Sequence, residues 1–149
     1  MCKKILVPLD TSPLSETALP HARALAQLMQ AEIVLVCVAD FQHHDYTVLD
    51  PSHAERMNAE AERTRQALQD YLDHTARTLK AEGFNISIEL RADRHVANTL
   101  LTVADDIQAD VIVMSTHGRS GLTRWLIGSV ADKIVHGAKV PVLLIHPHR

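Results

Sequence analysis

Met114-Ser115-Thr116-His117-Gly118-Arg119-Ser120-Gly121 runs on through Leu122-Thr123-Arg124-Trp125-Leu126-Ile127 to Gly128-Ser129. An apolar run, Val111 to Met114, leads into this stretch, and a helical pattern, Val130 to His136, leaves it. A strand feeding a glycine-bearing loop and then a helix aims backbone N–H groups at one point, which is how phosphate is commonly held. Gly118, Gly121 and Gly128 are three of the five glycines in the chain. Nucleotide binding is therefore the first reading of the segment.

Working outward, four more short apolar runs alternate with helical patterns. The strand candidates are Lys4–Leu9, Glu32–Val38, Asn85–Leu90, Asp110–Ser115 and Val140–Ile145. All but the third are nearly continuous in Ile, Val and Leu, as suits strands covered on both faces of a parallel sheet. Strands alternating with helices give an α/β doubly wound fold with helices on both faces.

The helices are expected over Ser15–Gln30, Ser52–Glu82, Val96–Gln108 and Val130–His136. Pro20 sits awkwardly in the first, so either its first turn is distorted or regular helix begins near the proline. The second has an apolar stripe of Met57, Ala61, Leu68, Leu72, Thr75 and Leu79. At 1.5 Å per residue it would extend roughly 45 Å, which predicts a break or a protruding end. Gly83 is its stop signal. Ala39 to Pro51 is the one long irregular connection, and it carries Asp40, His43, His44, Asp45 and Asp50.

At 149 residues the chain is expected to form one domain, residues 1–149, with a core of its own. A net charge of −3 gives no basic face for nucleic acid, and 3% aromatics give no base-stacking platform. Cys2 and Cys37 make no disulfide framework, and Cys37, inside an apolar run, is read as a small buried hydrophobe. No run approaches the roughly 20 apolar residues that span a bilayer, and no signal peptide is visible after Lys3 and Lys4. A cytoplasmic location is expected. The ten histidines cluster only at His43-His44 and His146-Pro147-His148, without metal-site spacing.

Open α/β sheets bind ligands at the carboxyl ends of their strands, where strand order reverses. The first strand ends Val7-Pro8-Leu9-Asp10-Thr11-Ser12 and the fourth ends at the glycine loop. If they are neighbours, Asp10 and the loop share a crevice. The N–H groups of Gly118, Arg119, Ser129 and Val130 would then point at phosphate oxygens. The Ser129 hydroxyl would donate to phosphate, and Arg119 and Arg124 would offset its charge. Asp10 would accept from a ribose hydroxyl or hold a Mg²⁺-bound water. Each of these residues also has a plainer role. Ser129-Val130-Ala131-Asp132 is a capping-box pattern, Gly118 and Gly121 shape a turn, and Asp10 starts the turn into the first helix. The strict P-loop and G-x-G-x-x-G forms are absent, and no lysine follows Gly128. No catalytic residue is assigned.

These residues resemble a single-domain universal stress protein nearly from end to end. Lys4 to Ser12 resembles that family's first strand and turn, and Val140 to Ile145 its last strand. Ser115 to Gly121 followed by Gly128-Ser129-Val130-Ala131 resembles its nucleotide-binding signature: glycine, two residues, glycine, nine residues, glycine, then serine or threonine. Gly118, the nine residues Arg119–Ile127 and Gly128-Ser129 fit that pattern. Ser115 stands in place of the first glycine, and Thr11 stands where many members carry glycine.

The resemblance implies a five-stranded parallel sheet ordered 3-2-1-4-5. It implies adenine near Pro8, Asp10 and Val38, with Thr11 among the nucleotide-binding residues. The phosphates would lie on Met114, Ser115, His117, Gly118, Arg119, Gly121, Gly128, Ser129 and Val130. The expected ligand is ATP, or AMP or ADP, with Mg²⁺, and the expected partner a second copy paired through Val140–Ile145. The function so implied is a nucleotide-sensing dimeric module of the stress response. Two competitors follow from the same residues. One is a slow ATPase or self-phosphorylating enzyme using Ser120, Ser129 or Thr123. The other is a dimeric scaffold whose crevice stays empty because Ser115 blocks it.

Overall fold

The computed structural model describes residues 3–40, 51–117 and 127–147. In chain order the elements are β1 (Lys4–Pro8), α1 (Pro13–Glu16), α2 (Ala18–Met29), β2 (Glu32–Ala39) and α3 (Pro51–Ala81). They continue with β3 (Ile86–Ala92), α4 (Val96–Asp106), β4 (Val111–Ser115), α5 (Ser129–Gly137) and β5 (Val142–Ile145). The five strands form one sheet in the order β3-β2-β1-β4-β5, with every neighbouring pair parallel.

Side chains alternate across a strand, and this sheet puts both sets to use. Ile5, Val7, Leu9, Ile33, Leu35 and Cys37 pack on one face with Ala18, Ala22 and Ala26 of α2 and Leu68, Leu72 and Leu79 of α3. Leu6, Val34, Val36, Ile112 and Met114 pack on the other with Ala97, Leu100 and Val103 of α4 and Ala131 and Ile134 of α5. Cys37 is buried among the first set, as a small hydrophobe. Alanines carry the buried side of α2, which lets its axis lie close to the sheet.

Three boundaries differ from the sequence expectation for identifiable reasons. The first helix is two helices, interrupted at Thr17. Pro20 is the third residue of α2, where its missing N–H would have no helical acceptor, and its ring forbids a helix running through from α1. The last strand begins at Val142 rather than Val140, because Pro141 has no N–H to give and enters the ladder only through its carbonyl, which accepts from Ile112 N–H at 3.0 Å. The fourth helix begins at Ser129, one residue early, with Gly128 as its N-cap. The long α3 runs unbroken for 31 residues. Its first three turns, from Pro51, are largely exposed, and it is seated against the sheet only from Leu68 onward. Among the described residues no helix is long and apolar enough to cross a membrane.

Helix ends set the connections. Gly83 has φ +95°, and the turn is closed by Phe84 N–H to Leu79 O at 3.2 Å. Gln30 and Gln108 take the same left-handed geometry, φ 52° and 54°, with Ala31 N–H reaching Ala26 O and Ala109 N–H reaching Ala104 O. At the opposite end of the sheet from the loops described below, Asp110 Oδ2 accepts from the N–H groups of Lys3 and Lys4 at 2.8 and 2.9 Å. Those bonds hold its carboxyl below the usual carboxylate range.

Tyr71 of α3 donates its hydroxyl to Glu16 Oε1 of α1 at 2.8 Å. Burial, then this bond, pushes the phenol well above its ordinary value. A raised value makes the contribution complete below the unfolded value of about 10 and progressively lost above it. Tyr71→Phe should therefore cost about 1 kcal/mol near neutral pH. The gap between variant and wild type should close as the pH passes about 10 in urea denaturation.

A Cβ at Gly83 would meet nothing within 4 Å, so only the backbone opposes a side chain there. Gly83→Ala should lose about 1 kcal/mol and Gly83→Asn less than half of that, as read by urea midpoints at unchanged slope.

Candidate functional site

A cavity of about 400 Å³ opens at the carboxyl ends of the strands. Its walls come from the end of β1 (Pro8 to Asp10), the end of β2 (Val38 to Asp40), the end of β4 (Met114 to His117) and the start of α5 (Gly128 to Ala131). Thr64 and Leu68 of α3 close one flank, and Val96 and Leu100 of α4 another. β1 lies between β2 and β4, so the chain departs in opposite directions from this point. That reversal keeps helices from filling the space above the strand ends.

Asp10 opens a tight polar turn. Its Oδ1 accepts from Ser12 N–H at 3.0 Å and from the Ser12 hydroxyl at 2.5 Å. Ser12 caps α1 by accepting from Ser15 N–H at 3.1 Å. The Ser15 hydroxyl, buried, accepts from Asp10 N–H at 3.3 Å and donates to Ser12 O at 2.9 Å. The plainer role for Asp10, starting the turn into the first helix, is thus fulfilled by one oxygen, while the residue also lines the cavity. Thr11 between them has φ +71°, a costly backbone for a β-branched residue, and it does not line the cavity.

The end of β4 is the most polar part of the interior. Among the described residues the buried polar or charged side chains are Ser15, Ser115, Thr116 and His117, and all four line this cavity. Ser115 Oγ accepts from His117 N–H at 3.3 Å. Thr116 Oγ1 lies 2.9 Å from His117 Nδ1 and 3.3 Å from Nδ1 of His146, just past β5. His117 Nε2 is buried with no hydrogen-bond partner among the described residues. A buried polar atom left unpaired costs about 1–3 kcal/mol.

The start of α5 supplies donors. Asp132 N–H bonds Gly128 O at 2.9 Å, so the N–H groups of Ser129, Val130 and Ala131 precede the first intrahelical acceptor. Among the described residues no side chain caps them. Ser129 is the first helical residue, not the N-cap, so the capping-box role expected from Ser129 to Asp132 is not realised. Gly128 takes the cap position because of space, not φ, which is −59°. Its N–H bonds Thr116 O at 2.8 Å, and a Cβ there would sit 3.0 Å from the same oxygen.

Of the residues singled out from the sequence, Pro8, Asp10, Val38, Met114, Ser115, His117, Gly128, Ser129 and Val130 are brought together on one cavity. Gly118, Arg119 and Gly121 lie outside the described residues, as do Arg124, Ser120, Thr123 and the histidines 43 and 44. Sequence reasoning missed Ser15, Asp40, Thr64, Leu68, Leu100 and Thr116 as cavity residues. Thr116 was inside the quoted motif, and Leu68 was read only as core stripe. Nothing in the spacing marks Thr64. His146 was read only as part of the His146-Pro147-His148 cluster without metal-site spacing, whereas the sheet places it against Thr116 and His117, with ring centroids of the two imidazoles 5.9 Å apart.

Residues 1–146 match the universal stress protein family. Universal stress protein MJ0531 of Methanocaldococcus jannaschii is 31% identical over 143 residues, covering 96% of this chain and 81% of that protein. Universal stress protein MJ0577 of the same organism is 28% identical over 156 aligned positions, covering 97% and 95%. The solved structure of MJ0577 superposes with a TM-score of 0.86 at 26% identity, covering 100% of this chain and 99% of that one. Universal stress protein UspA from Lactobacillus plantarum gives a TM-score of 0.73 at 27% identity, covering 96% and 97%. A universal stress protein in complex with cAMP shares the fold, with a TM-score of 0.62 at 22% identity and coverage of 99% and 98%. The family match, the sheet order and these likenesses agree, and the chain belongs to the universal stress protein family.

Proposed function

We propose that this protein binds an adenine nucleotide, ATP or else AMP or ADP, in the cavity above β1 and β4, and serves as a nucleotide-sensing regulatory module of the stress response. The observation that carries the reading is the gathering of all four buried polar side chains of the described chain on that one cavity. Buried polar groups are costly unless partnered, so their concentration at a strand-order reversal favours a bound polar ligand.

The walls suit the parts of a nucleotide. Val38, Leu68, Val96, Leu100 and Met114 give an apolar slot for a base beside Pro8. Asp10 and Asp40 lie in the same wall and would accept from ribose hydroxyls, and Asp10 would also hold a Mg²⁺-bound water. The amides of Ser129 and Val130, at the positive end of α5, would meet the phosphates, with the Ser129 hydroxyl beside them. Arg119 and the amides of Gly118 and Gly121 complete the phosphate side on this reading. Ser115 leaves the cavity open, because its hydroxyl is turned to His117 N–H. That speaks against the scaffold with a blocked crevice. Localisation in the cytoplasm and a homodimer joined through β5 belong to the same proposal. β5 is an edge strand with Leu143 42% exposed, the kind of edge that invites pairing.

Mg²⁺-ATP at about 100 times its Kd should stabilise the protein by about 2.7 kcal/mol, a rise of roughly 5–10 °C in thermal midpoint. No rise with any adenine nucleotide would sink the reading. Gly128→Ala pushes a methyl against Thr116 O and should weaken ATP at least about tenfold in equilibrium dialysis while the circular dichroism spectrum is kept.

A further inference from the structure

The edge of the sheet at β3 is open, and α3 runs beside it with a charged stripe. β3 pairs only with β2, where Ile33 N–H bonds Asn85 O and Asp93 N–H bonds Ala39 O. In a parallel ladder alternate residues bond one neighbour, so the N–H and C=O groups of Ile86, Ile88 and Leu90 point out of the edge. Among the described residues no backbone group pairs with them. Along this edge a groove of about 470 Å³ is lined by Asp70, Asp73, Ala76, Arg77 and Lys80 of α3 and by Ile88 of β3.

The four charged residues follow one another at helical spacing and form one stripe along α3. Asp70, Arg77 and Lys80 are exposed and Asp73 is half-buried. Gln66 and Gln69 donate to Asp70 and Asp73 at 2.9 and 3.2 Å, which holds both carboxylates on this side of the helix. Among the described residues neither Arg77 nor Lys80 has an ion-pair partner, although Asp73 is one turn from Arg77. The order acid, acid, base, base is its own complement when reversed. Against an antiparallel copy of itself, with a twofold axis level with Thr75, Asp73 meets Arg77 and Asp70 meets Lys80. Symmetry makes each of these contacts twice.

We propose that a second copy of this chain docks on the β3–α3 edge, its β3 running antiparallel to this β3 and its α3 closing the groove. α3 packs on β2 and β3 together, so two helices related by this axis stand two strand spacings apart. That is about 10 Å, a normal distance for packed helices. Ile88 shares the groove with Asp73 and Arg77, so it lies near the axis and pairs with Ile88 of the other copy through both of its outward backbone groups. In that register Ser87 faces Glu89 of the other copy and Asn85 faces Arg91, so no like charges oppose across the strands. An acidic or a basic peptide would satisfy half of the α3 stripe and be repelled by the rest, whereas a second copy satisfies all of it. β5 is the opposite edge of the sheet and is left untouched. The inference does not depend on nucleotide binding.

Association is measured by sedimentation velocity over a concentration series for wild type, Asp73→Arg, Arg77→Asp and the double charge swap. Each single change sets like charges together at both symmetric contacts and should weaken association about a hundredfold. The swap restores opposite charges at both and should return to within about threefold of wild type. Hydrogen exchange separates this edge from β5. The amides of Ile88 and Leu90 should exchange at least about tenfold more slowly in concentrated than in dilute solution for wild type and the swap, and at one rate for the single variants. Circular dichroism should be the same for all four proteins, since the changes lie on the outer side of α3. A swap that fails to restore association, or β3 amides whose exchange ignores concentration, overturns the interface. Association that survives both single changes belongs to another surface and overturns it as well. A wild-type protein that stays monomeric overturns it together with the pairing through β5, and leaves nucleotide binding standing.

Discussion

The bond from Gly128 N–H to Thr116 O is the constraint on which the site depends. It ties the start of α5 to the end of β4 across the segment between them. Those ends are fixed independently of it. β4 is paired on both sides, to β1 and β5, and α5 is seated by Ala131 and Ile134 in the core. The bond closes the remaining gap, and a Cβ at 128 would crowd the same oxygen at 3.0 Å. With it in place, the first-turn amides of α5 face the same space as Asp10 and His117. A methyl at 128 would not unfold the sheet. It would lever the helix start away from the strand end by a few tenths of an ångström, enough to spoil bonds whose strength depends on distance.

Much of this was open to inspection in the sequence, and the residues show why. Ile5-Leu6-Val7 and Ile33 to Val38 alternate between two buried faces, so they are apolar at every position, and such runs announce a covered parallel sheet. Gly83 announced the end of α3 because left-handed backbone there is easiest for glycine. Gln30 and Gln108 do the same work without glycine, and no residue type flagged them. Pro20 signalled a disturbed helix, but the split at Thr17 depends on where α1 is capped by Ser12, a tertiary choice. The site divided along similar lines. Backbone devices, Gly128 and the strand ends, were legible. Contributions from Thr64 and Leu100 were not, since each reaches the cavity from a helix whose placement only the packed fold decides.

Ser129 is the instructive misreading. Ser-x-x-Asp ahead of an apolar turn has the form of a capping box, and such a serine would bond its own helix amides. Here the cap position passes to Gly128, because the Thr116 carbonyl must be approached closely. The consequence is that the first turn keeps its donors. A capped helix would have spent one or two of them internally. Displacement by one residue converts a helix start built for stability into one that offers amides outward.

The cavity is also polarised along its length. Asp10 and Asp40 stand at the β1–β2 side, the amides of Ser129 to Ala131 at the α5 side, and among the described residues no Lys or Arg lines it. A helix N-terminus contributes about 0.3–1 kcal/mol toward an anion, and each charge-assisted amide bond about 1.5–3 kcal/mol. Two carboxylates near the anion would offset a comparable amount. A ligand with hydroxyls at one end and negative charge at the other gains only in one orientation, charge toward α5. Reversal would set carboxylate against phosphate and leave the amides without acceptors. Orientation is thus imposed by the distribution of charge over β1, β2 and α5 before any side chain moves.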